Sequence, residues 1–436
     1  MSAKWIKTKI SALANDMTDG PFGSDLKMVH YTDKREARIV QLSNVGEDGW
    51  LDENIKYTTF SHAHEIGRCI IEPGNIIVAK MMPAGRAILC PNHEPMFVQG
   101  SDVVKIVPND RINPTFFVYM TKQNDYLKQI EKNTQGSTRS RTSISKLKEI
   151  SLTIPESKVT QNKLAQILVT CDIVIQNTQK TIDKYKAIKQ GMMQDLFTRG
   201  LTKDGKLRPP YKEAPELYKE SELGMIPKEW EVKLLESYVE DISDGPFGSN
   251  LKAIHYTEKK EVRIIQLGNI GEDGWIDDNV RYTTFTHASE ISRCIVSPGE
   301  IVIAKMMPAG RTIICPSEEK KYVLSSDGIR VIFNSSLLNK YYFRYFTKTH
   351  YFLDQINKDI QGSTRARTSI LKLKAMDILH PSIEEQAEIA NRLSAIDSTI
   401  QEEEAILEKY KNIKTGLMAR LLTPPKDAEI IDETGE

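Results

Sequence analysis

Apolar residues recur at the spacing of one helical face from Thr160 to Thr198: Leu164, Leu168, Cys171, Ile175, Ile182, Tyr185, Met192 and Leu196. Written as heptads, one seam position reads Gln161, Leu168, Ile175, Ile182, Lys189, Leu196, and the other Leu164, Cys171, Thr178, Tyr185, Met192. This is a coiled-coil stripe with polar interruptions. A helix of this length would extend roughly 55–60 Å, too far for one small domain to bury its stripe. The register returns between Glu385 and Leu422 as Gln386, Leu393, Ile400, Leu407, Lys414, Leu421, with Ile389, Ile396, Glu403, Tyr410, Leu417 at the second position. Even the interruptions match, Gln161 with Gln386 and Lys189 with Lys414. We therefore expect two long helices that pack on each other antiparallel.

The helices belong to a larger repeat with a period of about 225 residues. Asp19-Gly-Pro-Phe-Gly-Ser24 returns as Asp244-Gly-Pro-Phe-Gly-Ser249, and Gly46-Glu-Asp-Gly-Trp50 as Gly271-Glu-Asp-Gly-Trp275. Ala79-Lys-Met-Met-Pro-Ala-Gly-Arg86 returns as Ala304-Lys-Met-Met-Pro-Ala-Gly-Arg311, and Gln135-Gly-Ser-Thr-Arg139 as Gln361-Gly-Ser-Thr-Arg365. Between Asp19 and Pro91 the copies are roughly two thirds identical, which marks two copies of a whole domain and its helix. In copy one, short β-type runs fall at Ala37–Leu42, Ile76–Lys80, Ala87–Leu89 and Asp102–Val107 between Gly, Pro and Asn turns. A helix is expected at Pro114–Ile130, capped by Asn113, with Leu337–Ile356 in its place in copy two. Brief strands at Glu149–Ile154 and Met376–Leu379 precede the long helices.

The expected class is α+β: two similar mixed α/β domains at 1–156 and 229–382, long helices at 157–200 and 383–423, and a linker at 201–228. The acidic tail 424–436 is expected to be disordered.

A length of 436 residues allows two or three domains. No apolar run is long enough for a membrane span, and the first residues lack the apolar core of a signal peptide. Five cysteines, an odd number without a C-x-x-C pair, suit a reducing cytoplasm and argue against a disulfide frame or a zinc site. We read Cys69, Cys90, Cys294 and Cys315 as small core residues. The net charge is zero, so no global attraction to phosphate exists. Acid is concentrated in the second long helix and the tail, which leaves base in excess elsewhere.

No phosphate loop, dinucleotide fingerprint or metal-ligand spacing is present, and no catalytic residue is assigned. Asn113-Pro114-Thr115-Phe116 resembles an amino-methyltransferase motif only faintly; it lacks the second Pro and reads as a helix cap. The recurring loops read as contact surfaces. Ser137, Thr138, Arg139 and Arg141, with Ser363, Thr364, Arg365 and Arg367, combine hydroxyls with alternating arginines that fit phosphate or guanine. DNA is the favoured reading, with contact to a protein partner next and a solvated, salt-bridged loop last. The Gly-Pro-Phe-Gly turns carry Ser24 and Lys27, or Ser249 and Lys252, with Phe22 and Phe247 either tucked into the core or presented for contact. Lys80 and Arg86, like Lys305 and Arg311, flank a hairpin tip suited to entering a groove, and Arg86 and Arg311 are the better candidates for reading bases.

These features together resemble the specificity (S) subunits of type I restriction–modification enzymes. The resemblance covers essentially the whole chain. It rests on the Gly-Pro-Phe-Gly-Ser turns, the Ile226-Pro-Lys-Glu-Trp230 lead-in to copy two, and the Pro155…Gln161 and Pro381…Gln386 helix starts. The helix ends Lys184-Tyr-Lys…Met193 and Lys409-Tyr-Lys…Met418 complete it.

The resemblance implies two target-recognition domains, each reading half of a split double-stranded DNA site, and an antiparallel helix pair that sets the spacer. Two methyltransferase subunits, binding S-adenosylmethionine and modifying adenine at N6, would dock on the helices, with Tyr185, Met192, Tyr410 and Leu417 as contact candidates. Restriction–translocase subunits using ATP and Mg would join them. This chain would carry no cofactor and no chemistry of its own. Members usually have dissimilar domains; the close copies here imply a nearly palindromic site, with differences read in the divergent segments Asn92–Asn133 and Ser317–Asp359, such as Gln99 against Leu324. Other readings are a specificity subunit of a modification-only or phage-defence methyltransferase without a nuclease, an adaptor that binds only proteins, and an enzyme of cryptic activity.

Overall fold

The computed structural model of the chain describes residues 4–23, 25–81, 83–134, 141–246, 250–360 and 367–435. They form two units, one of Met1–Gln179 with Ala405–Glu436 and one of Lys180–Glu404. The class is α+β with an internal repeat. Among the described residues no helix is long and apolar enough to cross a membrane.

Period-2 alternation in the strands produces the layers of each unit. In unit one a four-stranded antiparallel sheet runs in the order Ala14–Asp19, Val103–Pro108, Ile76–Ala79, Ala87–Leu89, with Val104 opposite Val78. Ile77, Ala79, Ile88 and Val103 point to one side, where they meet Val40, Ile71 and Phe97 of a five-stranded sheet. In that sheet Ala37–Val40 lies parallel to Met96–Gln99. Ile76, Val78, Val104 and Ile106 point to the other side and meet Phe116, Phe117, Tyr126 and Ile130 of two short helices. Unit two repeats the layers: Val302, Ala304 and Ile313 pack with Ile264 and Val323, while Ile301, Ile303, Ile329 and Val331 pack with Tyr342, Phe343 and Phe352.

The sequence suggested one helix over Pro114–Ile130; there are two, Pro114–Met120 and Asn124–Thr134. Tighter bonds from Lys122 N to Tyr119 O and Gln123 N to Met120 O close the first, and Asn113 caps it by accepting from Phe116 N at 2.7 Å. Copy two has the same break between Lys340–Phe346 and His350–Ile360.

The long helices run Lys158–Thr198 and Ile383–Leu421. Each unit holds the start of one and the end of the other. Leu164, Ala165 and Leu168 join the unit-one core together with Leu417, Met418 and Leu422, and Ile389, Ala390 and Leu393 join the unit-two core with Leu196 and Phe197. Within unit two the helices are antiparallel, since Lys186 pairs with Glu404 and Lys189 with Asp397. The seam glutamines are fully buried. Gln161 accepts from Asn113 N at 2.8 Å and donates to Arg111 O and Pro155 O; Gln386 does the same with Asn339 N, Leu337 O and Pro381 O.

The tail departs from its expected disorder. Ile430–Asp432 pairs parallel with Trp5–Lys9, and Lys7 and Arg111 take up Asp432 (3.0 Å) and Glu433 (2.6 Å). Its acids, repulsive when read alone, find cations that lie far away in sequence. The linker likewise carries structure, a hairpin of Tyr218–Ser221 and Gly224–Pro227.

The linker is fastened to the second long helix by Glu385, whose carboxylate binds Arg208 at 2.7 Å and accepts from Leu201 N at 2.6 Å and Trp230 Nε1 at 3.0 Å. Gly200, at φ +61°, lies beneath them; an added Cβ would come within 2.3 Å of the Trp230 ring. Removing Glu385 would leave the buried Arg208 with Glu229 as its one carboxylate partner, and Leu201 N and Trp230 Nε1 without their acceptor. Glu385→Ala should therefore lower the unfolding free energy of the full chain by about 3 kcal/mol, measured by urea denaturation, and a loss below about 1 kcal/mol would show that Glu229 suffices to hold Arg208.

Candidate functional site

Three motifs distant in sequence converge at one end of each globular domain. Lys80 ends the Ile76–Ala79 strand, and its N–H donates to Asp102 O at 2.9 Å. Lys80 is buried, its side chain 9% exposed, and its ammonium reaches Asp19 at 3.1 Å, as a buried cation requires a counterion. The arginine loop returns here: Thr142 N donates to Lys80 O at 2.8 Å, Met81 bridges to Arg141, and the Arg141 side chain, 47% exposed, lies 3.3 Å from Asp102. Copy two repeats this with Lys305–Asp244 at 2.9 Å, Thr368 N to Lys305 O at 3.0 Å, and Met306 bridging to an exposed Arg367. Lys80 and Lys305 thus serve as anchors, and Arg141 and Arg367 are the presented charges. Ser137, Thr138, Arg139, Ser363, Thr364 and Arg365 lie outside the described residues.

The Gly-Pro-Phe-Gly turn borders the same end. Gly20 sits so close to the Gly100 turn that an added Cβ would lie 2.0 Å from Gly100 O; at Gly245 it would lie 1.8 Å from Ser325 O. This close approach requires glycine and turns Phe22 outward, 72% exposed, with the Arg68 guanidinium 5.5 Å from its ring centroid. Phe22, Tyr31, Gln41, Ser43, Ser101 and Asp102 line a cleft of about 270 Å³, and its Asp102 is the residue that Arg141 faces. A 3-10 turn follows, presenting Lys27, Met28 and Val29 to solvent in copy one and Lys252 and Ile254 in copy two. Stacked histidines stiffen it, His30 on His62 and His255 on His287, both at 4.0 Å. Ser24, Phe247 and Ser249 lie outside the described residues. Apolar surface among exposed cations, carried on rigid turns, can lie against bases and phosphates of a nucleic acid.

Arg86 and Arg311 lie elsewhere, contrary to the groove-entering hairpin expected from sequence. The tip is packed beneath a helix: Tyr126 OH donates to Gly85 O at 2.8 Å, and Ala309 is buried in the unit-two core. Arg86 donates to Val45 O at 3.1 Å and lines a cavity of about 660 Å³ with Asp48, Lys122, Asp172 and Lys414. Arg311 donates to Pro308 O at 3.1 Å and lines one of about 770 Å³ with Lys189, Asp273, Lys348 and Asp397. Gln99 and Leu324 are fully buried, and Gln99 donates to Thr18 O at 2.9 Å, so this pair reads nothing outside the core.

On the long helices Tyr185 and Tyr410 are half-buried, and Met192 and Leu417 pack against the unit cores. The exposed apolar residues there are Ile173, Ile188, Ile406 and Ile413, among others. Ile188 and Ile413 are repeat equivalents off the heptad seam, a signal present in the sequence but outside the seam positions.

Among the described residues no group of three metal-type ligands lies together. Burial pushes the Cys90 and Cys315 thiols up to about 12, so both remain protonated and poorly nucleophilic at neutral pH. A disulfide reagent at pH 8 should label Cys171, the half-exposed thiol, first, and the buried Cys69, Cys90, Cys294 and Cys315 only with denaturant. Rapid labelling of all five in the native chain would contradict this burial.

The family model for the type I restriction modification DNA specificity domain matches twice, over residues 31–187 and 255–412. The type I restriction enzyme MjaVIII specificity subunit of Methanocaldococcus jannaschii is 28% identical over 269 residues, covering 60% of this chain and 59% of that protein. The MjaIX specificity subunit of the same organism is 29% identical over 206 residues, covering 45% of this chain and 46% of that protein. The chain thus spans about half to three fifths of the length of these relatives. In fold it is similar to the S subunit of a type I restriction–modification system from M. genitalium, with a TM-score of 0.59, 15% identity and 97% of each chain covered.

Proposed function

The chain belongs to the type I restriction–modification DNA specificity family, and from that premise we propose that it is the subunit that reads the target sequence. Each globular domain reads one half of a split duplex site with the end that carries Phe22, Lys27 and Arg141, or Lys252 and Arg367. The observation that carries this reading is that the Gly-Pro-Phe-Gly turn and the arginine loop both border Asp102 in copy one, with the Met81–Arg141 bridge repeated as Met306–Arg367 in copy two. Because most of these residues are the same in both copies, the half-sites are the same or related. Met28-Val29 against Ala253-Ile254, exposed in both copies, supports a difference in detail.

The chain contributes no bond-making group in this reading. Two methyltransferase subunits, which hold S-adenosylmethionine, dock on exposed helix residues such as Ile188 and Ile413, and restriction–translocase subunits use ATP and Mg. Zero net charge fits a protein that shares the duplex with such partners.

Mapping N6-methyladenine in a host carrying the chain with its methyltransferase, and without the chain, should reveal a split, near-palindromic motif only in its presence. Two unrelated half-sites would refute the equivalence of the domains, and no motif would favour a protein adaptor. Lys27→Ala, which removes an exposed cation from the turn, should weaken cognate and random duplexes alike and lower the slope of log affinity against log salt by about 1. A loss confined to cognate DNA would instead mark Lys27 as a base reader.

A further inference from the structure

The seam lysines and the Gly-Glu-Asp-Gly-Trp turn take no part in the domain end described above, yet both recur in each copy. The structure brings them together. In unit one Lys414, on the second long helix, lies 2.5 Å from Asp172 of the first and 3.7 Å from Asp48 of the turn. Asp48 also pairs with Lys122 at 3.3 Å, and Asp172 accepts a hydrogen bond from Tyr119 OH at 2.5 Å. In unit two Lys189 lies 2.6 Å from Asp397 and 3.8 Å from Asp273. Lys348 reaches Asp273 at 2.8 Å, and Tyr345 OH donates to Asp397 at 2.7 Å. Each node therefore ties three bodies: the domain, the helix that follows it, and the other long helix.

A lysine in a heptad seam forgoes apolar packing, so its presence twice calls for a compensating role. The lysine side chains are only 13% and 16% exposed, and both oxygens of Asp172 and of Asp397 are engaged. Apolar contact is non-directional and leaves a domain free to roll on a helix pair. A shared network of charge-assisted bonds fixes an angle.

We propose that the two nodes set the spacer selectivity of the split site: they lock the angle of each recognition domain on the helix pair, and so the number of base pairs accepted between half-sites. Lys189 and Lys414 are positioning residues, whose partners are Asp273 and Asp397, and Asp48 and Asp172, none of them assigned above to DNA reading. The proposal rests on the DNA-reading function above.

Its test is Lys414→Met, and in parallel Lys189→Met, in the full chain expressed with its methyltransferase subunits, with methylated adenines mapped. The half-site sequences should stay unchanged while methylation at spacers one base pair longer or shorter rises about tenfold relative to the preferred spacer, the order of a coupling between distant elements. Lys414→Arg should restore the spacer preference. Leu168→Ala, which weakens the same unit by packing alone, should lower methylation at all spacers in proportion. A spacer ratio unmoved by Lys414→Met, or moved equally by Leu168→Ala, overturns the proposal alone. Absence of any split motif with the unsubstituted chain overturns the DNA reading and this proposal with it.

Discussion

A buried primary amide at the first turn of each long helix makes domain and helix one body. Gln161 and Gln386 are fully buried, and each satisfies two carbonyls and one N–H of the domain before it. An apolar residue of equal size would leave three buried backbone groups without partners, a larger loss than it would gain by packing. The stripe that follows therefore starts from a fixed point. Its phase decides which residues meet the short helices beneath the four-stranded sheet and which meet the other long helix.

From that junction the layers follow by alternation. The four-stranded sheet is apolar on both faces because one meets the second sheet and the other the helices, as a sheet at the centre of three layers must be. The conserved arrangement between copies breaks where the chain environment differs. Glu385 gathers Arg208, Trp230 and the linker in unit two, whereas in unit one Thr160 stands at the matching position and an extended tail strand takes the place beside Trp5.

Much of this was legible in the sequence. The duplication, the two seams with their matched polar positions, and the strands Ile76–Ala79 and Ala87–Leu89 follow from local periodicity. What stayed hidden depended on distant partners. The acids of the tail resemble a solvated segment until Lys7 and Arg111 are placed beside them. Arg86 resembles the shoulder of a free hairpin until Tyr126 is seen holding Gly85 under a helix. Gln99 differs from Leu324 as a reading position would, but a core can exchange a hydrogen-bonded amide for a leucine and remain closed. For the candidate site, the motifs could be identified from sequence and their convergence could not, because the lysine that anchors the loop lies about 60 residues from it and only strand pairing brings them together.

The division of the helices between units imposes an order on folding. Unit two is continuous, Lys180–Glu404, whereas unit one needs Ala405–Glu436 to supply its second helix segment and the strand beside Trp5. During synthesis the first domain emerges early but is completed last. The half of the molecule made first thus waits for Leu417, Met418 and Leu422 to complete its core, although its own strands and short helices are already in place to begin it.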